Sequence, residues 1–399
     1  VSSPGAAIRL AIVAGEESGD ILGADLVRAL SALSGRPVEL VGVGGRHLEA
    51  LGLQSLFDPA EIALMGLTAV VRDLPNLVRR IGQTARHVVA ARPDCLVTID
   101  SPAFNLRVAR RVRATAPSLP IVKYVCPSVW AWGAWRAPRM KAFTDHVLCL
   151  LPFEPEALSR LGGPPGTFVG HRLSHDERLG RAAARQRERW REAGAKRTLL
   201  LLPGSRRSEI AAHLDLFGET VAVLQRRGHH PRLLLPSLPD HRDILERRTA
   251  GWPRRPEIVI GEEEKWQAFA EADAALAASG TVTLELALAR VPLVSCYRTD
   301  LLVRAVMPFL ISTWSASLPN LIADRVVVPE YFNGYLHPGR LARHLEALMV
   351  EGPMREAQLQ GFDRVAEALA TDRPAGEIAA GVVLGLIARR SGEGERAAN

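Results

Sequence analysis

Ile8-Arg9-Leu10-Ala11-Ile12-Val13-Ala14 runs directly into Gly15-Glu16-Glu17-Ser18-Gly19-Asp20, and Ile21–Leu33 follows with helical spacing. The first run has the length and apolarity of a buried strand, and apolar positions three and four apart mark the helix. A glycine-containing turn between them makes a βα unit. Working outward, further strand-like runs stand at Val38–Val43, Cys95–Ile99, Ile121–Val125, Val147–Leu151 and Thr167–Val169, with helical segments between most of them. Near Gly170 the character changes. Asp176–Arg197 is dense in Arg, Glu and Ala and reads as a solvated helix with a linker. A second series begins at Thr198–Leu202 and continues through Arg232–Leu235, Glu257–Ile260, Ala274–Ala277 and Pro292–Tyr297. Strands alternating with helices imply parallel α/β sheets. We therefore expect an α/β protein of two Rossmann-like domains with a cleft between them, over 1–172 and 173–352.

The bulk properties agree with a globular chain. A length of 399 residues suggests two to three domains, and 47% hydrophobic against 23% charged residues excludes a disordered protein. The net charge of +7, carried mostly by Arg, suits phosphate-bearing or acidic-lipid partners without choosing among them. Cys95, Cys126, Cys149 and Cys296 are widely spaced with no CxxC pair, which reads as reduced buried thiols in a cytoplasmic protein and argues against structural zinc. No signal peptide is evident, and no uninterrupted apolar run reaches the roughly eighteen residues of a membrane span. The nearest candidate, Leu301–Trp314, is broken by Arg304 and Pro308 and can at most lie in an interface. No metal-ligand spacing, Walker loop or GxSxG turn appears.

Ligands of such sheets bind beyond the carboxyl ends of the strands, so the loops there are the candidates. In Gly15–Asp20, Ser18 or Asp20 can cap the following helix, and Glu16 and Glu17 repel phosphate. Asp100, ahead of Ser101-Pro102, can accept a proton from a sugar hydroxyl, or merely close an Asx turn. Cys126-Pro127-Ser128-Val129-Trp130-Ala131-Trp132 can offer an apolar platform to a sugar face or acyl chain, or pack between domains. Around Gly204, Ser205 and Arg206, backbone amides and a guanidinium can meet a phosphate, or simply start a capped helix. Ser279-Gly280-Thr281 opens a helix whose N-terminus is a natural diphosphate seat, with Glu285 one turn in and within reach of ribose hydroxyls. The bland alternative is capping with a surface Glu. Asn320, after Ser317-Leu318-Pro319, offers donor and acceptor in what otherwise reads as an ordinary loop.

Taken in order, these segments resemble the lipid-A-disaccharide synthase family. The resemblance rests on Ala14-Gly15-Glu16, Ser18-Gly19-Asp20, Leu64-Met65-Gly66, Ile99-Asp100-Ser101-Pro102, Tyr124 and Pro127-Ser128-Val129-Trp130-Ala131-Trp132 in the first half. It continues through Leu151-Pro152-Phe153-Glu154, Val169-Gly170-His171, Leu202-Pro203-Gly204-Ser205-Arg206, Ser279-Gly280-Thr281, Glu285, Tyr297-Arg298 and Ser317-Leu318-Pro319-Asn320. The Pro-Ser-Val-Trp-Ala-Trp run is the specific one; Ser-Gly-Thr recurs in related glycosyltransferases.

The resemblance implies a GT-B fold and an inverting transfer without metal or cofactor. The donor is expected to be UDP-2,3-diacylglucosamine and the acceptor 2,3-diacylglucosamine 1-phosphate (lipid X), giving a β-1,6-linked disaccharide 1-phosphate and UDP in lipid A biosynthesis. Asp100 matches the general base, with Glu16 and Ser18 in a loop facing the reacting sugars. Arg206 and Asn320 match donor-binding or leaving-group positions, and Ser279, Gly280, Thr281 and Glu285 match the UDP pocket. Ser128, Trp130, Trp132, Gly204, Ser205 and Tyr297 complete the expected substrate contacts. Helices over 353–390 are expected to cross back onto the first domain, ahead of a disordered tail over 391–399. A homodimer and peripheral binding on the inner face of the inner membrane are also implied, and a nucleic-acid partner is not. Glu17, Cys126, Gly133-Ala134-Trp135 and Glu330-Tyr331-Phe332-Asn333-Gly334 depart from the family pattern. Other readings in view are a UDP-N-acetylglucosamine epimerase, a peptidoglycan-type transferase, or a nucleotide-sugar binding protein without catalysis.

Overall fold

The apolar runs become twelve strands in two all-parallel sheets in a computed structural model that describes residues 6–63, 74–189, 197–298 and 311–397. In the first sheet β1 (Ile8–Ala14), β2 (Val38–Val43), β3 (Cys95–Ile99), β4 (Ile121–Tyr124), β5 (His146–Cys149) and β6 (Gly166–Phe168) take the order β2-β1-β3-β4-β5-β6. In the second, β7 (Thr198–Leu202), β8 (Arg232–Ser237), β9 (Glu257–Ile260), β10 (Ala274–Ala278), β11 (Leu293–Tyr297) and β12 (Glu330–Phe332) take the order β12-β11-β10-β7-β8-β9. The central strands are buried along their whole length, as β3 and β10 show. Such strands read as unbroken apolar runs because helices cover both faces of a parallel sheet.

The strand orders place the candidate loops. The chain leaves β1 toward β2, whereas β3 lies on the other side of β1, so the first sheet switches direction between β1 and β3. Gly15–Asp20 and Asp100–Pro102 flank that point. The second sheet switches between β7 and β10, flanked by Pro203–Arg206 and Ser279–Thr281. Crevices at switch points are where open α/β sheets bind ligands.

The chain divides into two compact units, Val1–Arg172 with Thr371–Asn399, and Leu173–Ala370. The last helix, Ala375–Ala397, packs in the first unit. Its Ala379, Ala380 and Val383 are fully buried in one core with Leu22, Leu26 and Leu30 of helix Glu17–Ser34. Helix Pro353–Leu369 stays in the second unit, where Gln358 bonds the amide and carbonyl of Leu293 at 2.8 and 3.0 Å. The return to the first unit thus comes at Thr371 rather than at Pro353. The last helix also continues through Ala397, taking in most of the stretch expected as a disordered tail. Leu64-Met65-Gly66 and most of the apolar run at 301–314 lie outside the described residues.

Candidate active site

In the first unit, Asp100 stands at the carboxyl end of the central β3. Its backbone is left-handed (φ 50°), as is that of Ser101 (φ 39°), and Val125 at the end of neighbouring β4 has φ 67°. Three non-glycine residues of this kind, one β-branched, store strain of about 1–3 kcal/mol each, and such strain collects at functional sites. Surrounding bonds hold the bend. The Asp100 amide donates to Tyr124 O at 3.1 Å. The Asp100 carbonyl accepts from Lys123 Nζ at 2.6 Å and from Asn105 Nδ2 at 2.9 Å. Asn105, fully buried, also donates to Ile99 O at 2.8 Å. Sequence reading passed over both Lys123 and Asn105. The signal was present for Lys123: a charge inside the run Ile121-Val122-Lys123-Tyr124, which otherwise reads as a buried strand.

Glu16 and Ser18 are exposed at the β1 loop. The capping expected from Ser18 or Asp20 does not occur on their own helix, whose N-cap position is Glu16 with no side-chain cap bond. Asp20 is buried and instead accepts from Gly45 N and His47 N at 2.7 and 2.8 Å, capping the short helix Arg46–Glu49. The carboxylate turns inward because that helix start lies against its face of the core. Glu17, one of the departures, pairs with Arg46 at the surface.

The turn after β4 carries the tryptophans. Trp130 Nε1 donates to Glu154 Oε1 at 3.1 Å, and its ring meets Phe153 edge-on at 5.0 Å. Glu154 also accepts from Leu150 N and Leu151 N, both at 3.1 Å. Burial nevertheless raises its carboxyl to about 7. Ser128 and Trp132 are exposed. Trp132 (50% exposed) stacks under the Arg136 guanidinium at 3.8 Å, and Trp135 (60% exposed) under Arg139 at 4.4 Å. The same turn brings together Cys126, Cys149 and Glu154, the one group among the described residues whose ligand atoms, within 4.8 Å of each other, suit a metal ion. Sequence spacing hid this trio because the thiols come from the turn after β4 and from the end of the neighbouring β5. All four cysteines are free and buried.

In the second unit the two expected phosphate seats differ. At the start of helix Arg207–Arg226 the seat is already taken. Ser205 N and Arg206 N donate to Glu209 Oε2 at 3.0 and 3.2 Å, and Arg206 Nη1 pairs with Glu209 Oε1 at 3.0 Å. A capping box thus uses the amides expected to meet phosphate, because a carboxylate three residues in reaches back to the same donors. Gly204 is required here: with φ 121°, an added Cβ would sit 2.4 Å from Glu209 Cβ. At helix Thr281–Leu288 the first turn has no side-chain cap, Gly280 and Thr281 are exposed, and a Cβ at Gly280 would meet open space. Ser279 Oγ donates to Ala316 O at 3.0 Å, so the hydroxyl is part of the turn. Glu285 pairs with Lys265 Nζ at 2.6 Å. Tyr297 ends β11 with its ring 6.5 Å from Phe332.

Asn320, expected at a donor-binding or leaving-group position, sits inside the fold. It is fully buried, its Oδ1 accepts from Val327 N and Val328 N at 2.8 and 2.7 Å, and its Nδ2 donates to Val328 O and Glu330 Oε2 at 3.0 and 3.2 Å. All four hydrogen-bonding sites of the amide are thus used within its own fold. Glu330, a departure from the family pattern, also accepts from Ser315 Oγ and from Ala316 N (3.1 Å). Asn320 and Glu330 therefore brace the segment that receives the Ser279 hydroxyl. His213, also missed, ties helix Arg207–Arg226 to the loop after β11: Arg298 N donates to its Nε2 at 3.1 Å, so Nδ1 carries the proton donated to Glu209 O, one turn back in the same helix, at 2.8 Å. Burial holds this imidazole below its ordinary pKa, and hence neutral.

A family model described as lipid-A-disaccharide synthetase matches residues 10–373. The chain is similar to a lipid-A-disaccharide synthase of Nitrobacter winogradskyi, 49% identical over 377 residues, or 94% of this chain and 95% of that protein. One from Rhodopseudomonas palustris is 45% identical over 388 residues, or 97% and 98%. Among solved structures, Acinetobacter baumannii MurG superimposes with a TM-score of 0.55 at 12% identity, covering 96% of this chain and 100% of that one. S. aureus MnaA, solved with UDP, gives 0.57 at 12% identity, covering 94% and 95%. At such low identity these structures speak for the fold alone, an α/β fold of GT-B type, whereas the sequence match runs through nearly the whole chain and sets aside the epimerase and peptidoglycan-transferase readings. Within the described residues the expected motifs fall on loops, strand ends and helix starts of that fold, with Glu285 one turn further into its helix, and the chain belongs to the lipid-A-disaccharide synthase family of glycosyltransferases.

Proposed function

We propose that this chain transfers 2,3-diacylglucosamine from its UDP conjugate to the 6-hydroxyl of 2,3-diacylglucosamine 1-phosphate, with inversion and without a metal. The observation carrying the reading is Asp100, held in strained backbone at the switch point of the first sheet. In this reading its carboxylate takes the proton from the acceptor hydroxyl as that oxygen attacks the anomeric carbon. UDP departs with growing negative charge, which the open amides at Thr281 stabilise as a preorganised positive terminus. Arg206, whose side chain is 80% exposed, adds charge by turning from Glu209 to the diphosphate. Glu285 binds ribose, Tyr297 borders the donor, and Glu16 and Ser18 face the sugars. Ser128, Trp130 and Trp132 receive the acceptor. Asn320 acts at one remove, by bracing the turn at Ser279.

No helix among the described residues is long and apolar enough to cross a membrane. The reading places the protein in the cytoplasm, peripheral on the inner face of the inner membrane, where both lipid substrates reside, and allows a homodimer. The test is turnover with the two acylated substrates. Asp100→Ala should lower kcat by about a thousandfold or more, within the range general-base removal produces, while UDP affinity measured by calorimetry stays within about twofold. Wild-type turnover in that variant would remove Asp100 from the base role. EDTA should leave the rate unchanged; a loss restored by magnesium would refute metal-free departure.

A further inference from the structure

Lys123 is an unusual residue for the middle of a sheet. It is 1% exposed, lies on β4 beside β3, and has no carboxylate bonded to its ammonium. Its hydrogen bonds all go to carbonyl oxygens: Asp100 O at 2.6 Å, Tyr124 O at 2.9 Å and Thr98 O at 3.5 Å. Burying a charge costs several kcal/mol unless its hydrogen bonds are made. An ammonium has three donors and no acceptor, so it can gather carbonyls that converge at one sheet edge as a neutral side chain cannot. Those carbonyls belong to the two strand ends where Asp100, Ser101 and Val125 are all left-handed.

We infer that Lys123 is a positioning residue for the transfer, its ammonium pinning the ends of β3 and β4 so that the strained turn presents the Asp100 carboxylate to the acceptor. This rests on the reading of Asp100 as the base. Burial lowers the Lys123 pKa to about 7, with Asp100 and the Cys126 thiol acting the other way. Cys126 in turn faces Cys149 on β5 and Glu154. With rising pH the ammonium loses its proton in that range, only two donors remain for three carbonyls, and the pin loosens. Turnover should therefore fall on the alkaline side through a group that never touches substrate.

The experiment measures kcat and KM of the full chain across the neutral range for wild type, Lys123→Met, Lys123→Arg, Asp100→Asn and the double variant Lys123→Met with Asp100→Asn. UDP affinity serves as the check on folding of the second unit and circular dichroism as the check on the whole. Lys123→Met should keep UDP affinity and acceptor KM, lose about ten- to a hundredfold in kcat, the size of effect that misplacing a catalytic group produces, and lose the alkaline limb. Lys123→Arg, which cannot shed its proton, should stay active with that limb moved to higher pH. The double variant should be no slower than Asp100→Asn, because the lysine acts only through the aspartate. A folded Lys123→Met with wild-type kcat and profile overturns the inference, as does a double variant slower than Asp100→Asn. If Lys123→Met does not fold, a folded Lys123→Arg whose alkaline limb is unmoved overturns it. Wild-type turnover by Asp100→Asn removes the base reading and the route through Asp100 together, whereas an indifferent Lys123→Met beside a dead Asp100→Asn removes the lysine alone.

Discussion

Asn320 shows how a residue can matter to a site it does not touch. Four hydrogen bonds close the segment from Ser315 to Glu330 around its amide, and Glu330 ties the same segment again through Ser315 and Ala316. Removing one buried partner leaves the others with unmet desolvation costs of about 1–3 kcal/mol each. Asn320→Ala should therefore destabilise the protein by roughly 3 kcal/mol or more, read as a lower urea midpoint, and should weaken UDP through the turn at Ser279. A variant with normal stability and selectively reduced kcat would instead restore Asn320 to the leaving group. Asp20 belongs to the same class. Its carboxylate holds three backbone donors, Gly45 N, His47 N and Leu48 N, so Asp20→Ala should lower stability by about 2–4 kcal/mol. Activity per folded molecule, measured after correcting for the folded fraction, should stay near wild type.

The two helix starts beside the second switch point carry the prediction at the scale of elements. Helix Arg207–Arg226 is closed by its own Glu209, whereas helix Thr281–Leu288 begins at Gly280 without a side-chain cap. An acid introduced at the second start should do there what Glu209 does at the first. The φ of 160° at Gly280 is extended backbone that Asp adopts, and a Cβ there has room. Gly280→Asp should stabilise the helix by only a few tenths of a kcal/mol, the usual gain of Asp over Gly at an N-cap. It should also weaken UDP by tenfold or more, about 1.4 kcal/mol or above, because a fixed carboxylate would compete for the same amides. Calorimetry with UDP decides it: unchanged affinity would mean that the diphosphate does not sit at Thr281.

For the whole molecule, the relevant features are surplus charge and exposed aromatics. A chain of net charge +7 displays Trp132 and Trp135 with Arg136 and Arg139 stacked on them. Aromatic rings at a water–lipid boundary paired with arginines for acidic headgroups suit a protein whose substrates are acylated. Trp132→Ala with Trp135→Ala should reduce sedimentation with phosphatidylglycerol-rich vesicles while leaving UDP affinity intact. Equal binding by the double variant would assign membrane contact to another surface.

Much of this was decided in the sequence. Short apolar runs such as Ile8–Ala14, interrupted only by Arg9, and Thr198–Leu202 read as strands covered on both faces, and their alternation with helices points to parallel sheets. Glycine and hydroxyl residues after β1, β7 and β10 mark the loops where such sheets work, and the Trp-rich turn is specific enough to carry the family. What tertiary structure alone decided is where each polar group sends its bonds. Asp20 caps a helix over twenty residues away, and Asn320 is consumed by the loop that leads into β12. Lys123, a single charge in an apolar run, proves to hold the turn on which Asp100 stands. Apolar periodicity is a local property of the chain, so it can be read in order. A hydrogen bond is satisfied by whichever partner folding brings within about 3 Å, and for a parallel sheet that partner lies a whole crossover away in sequence.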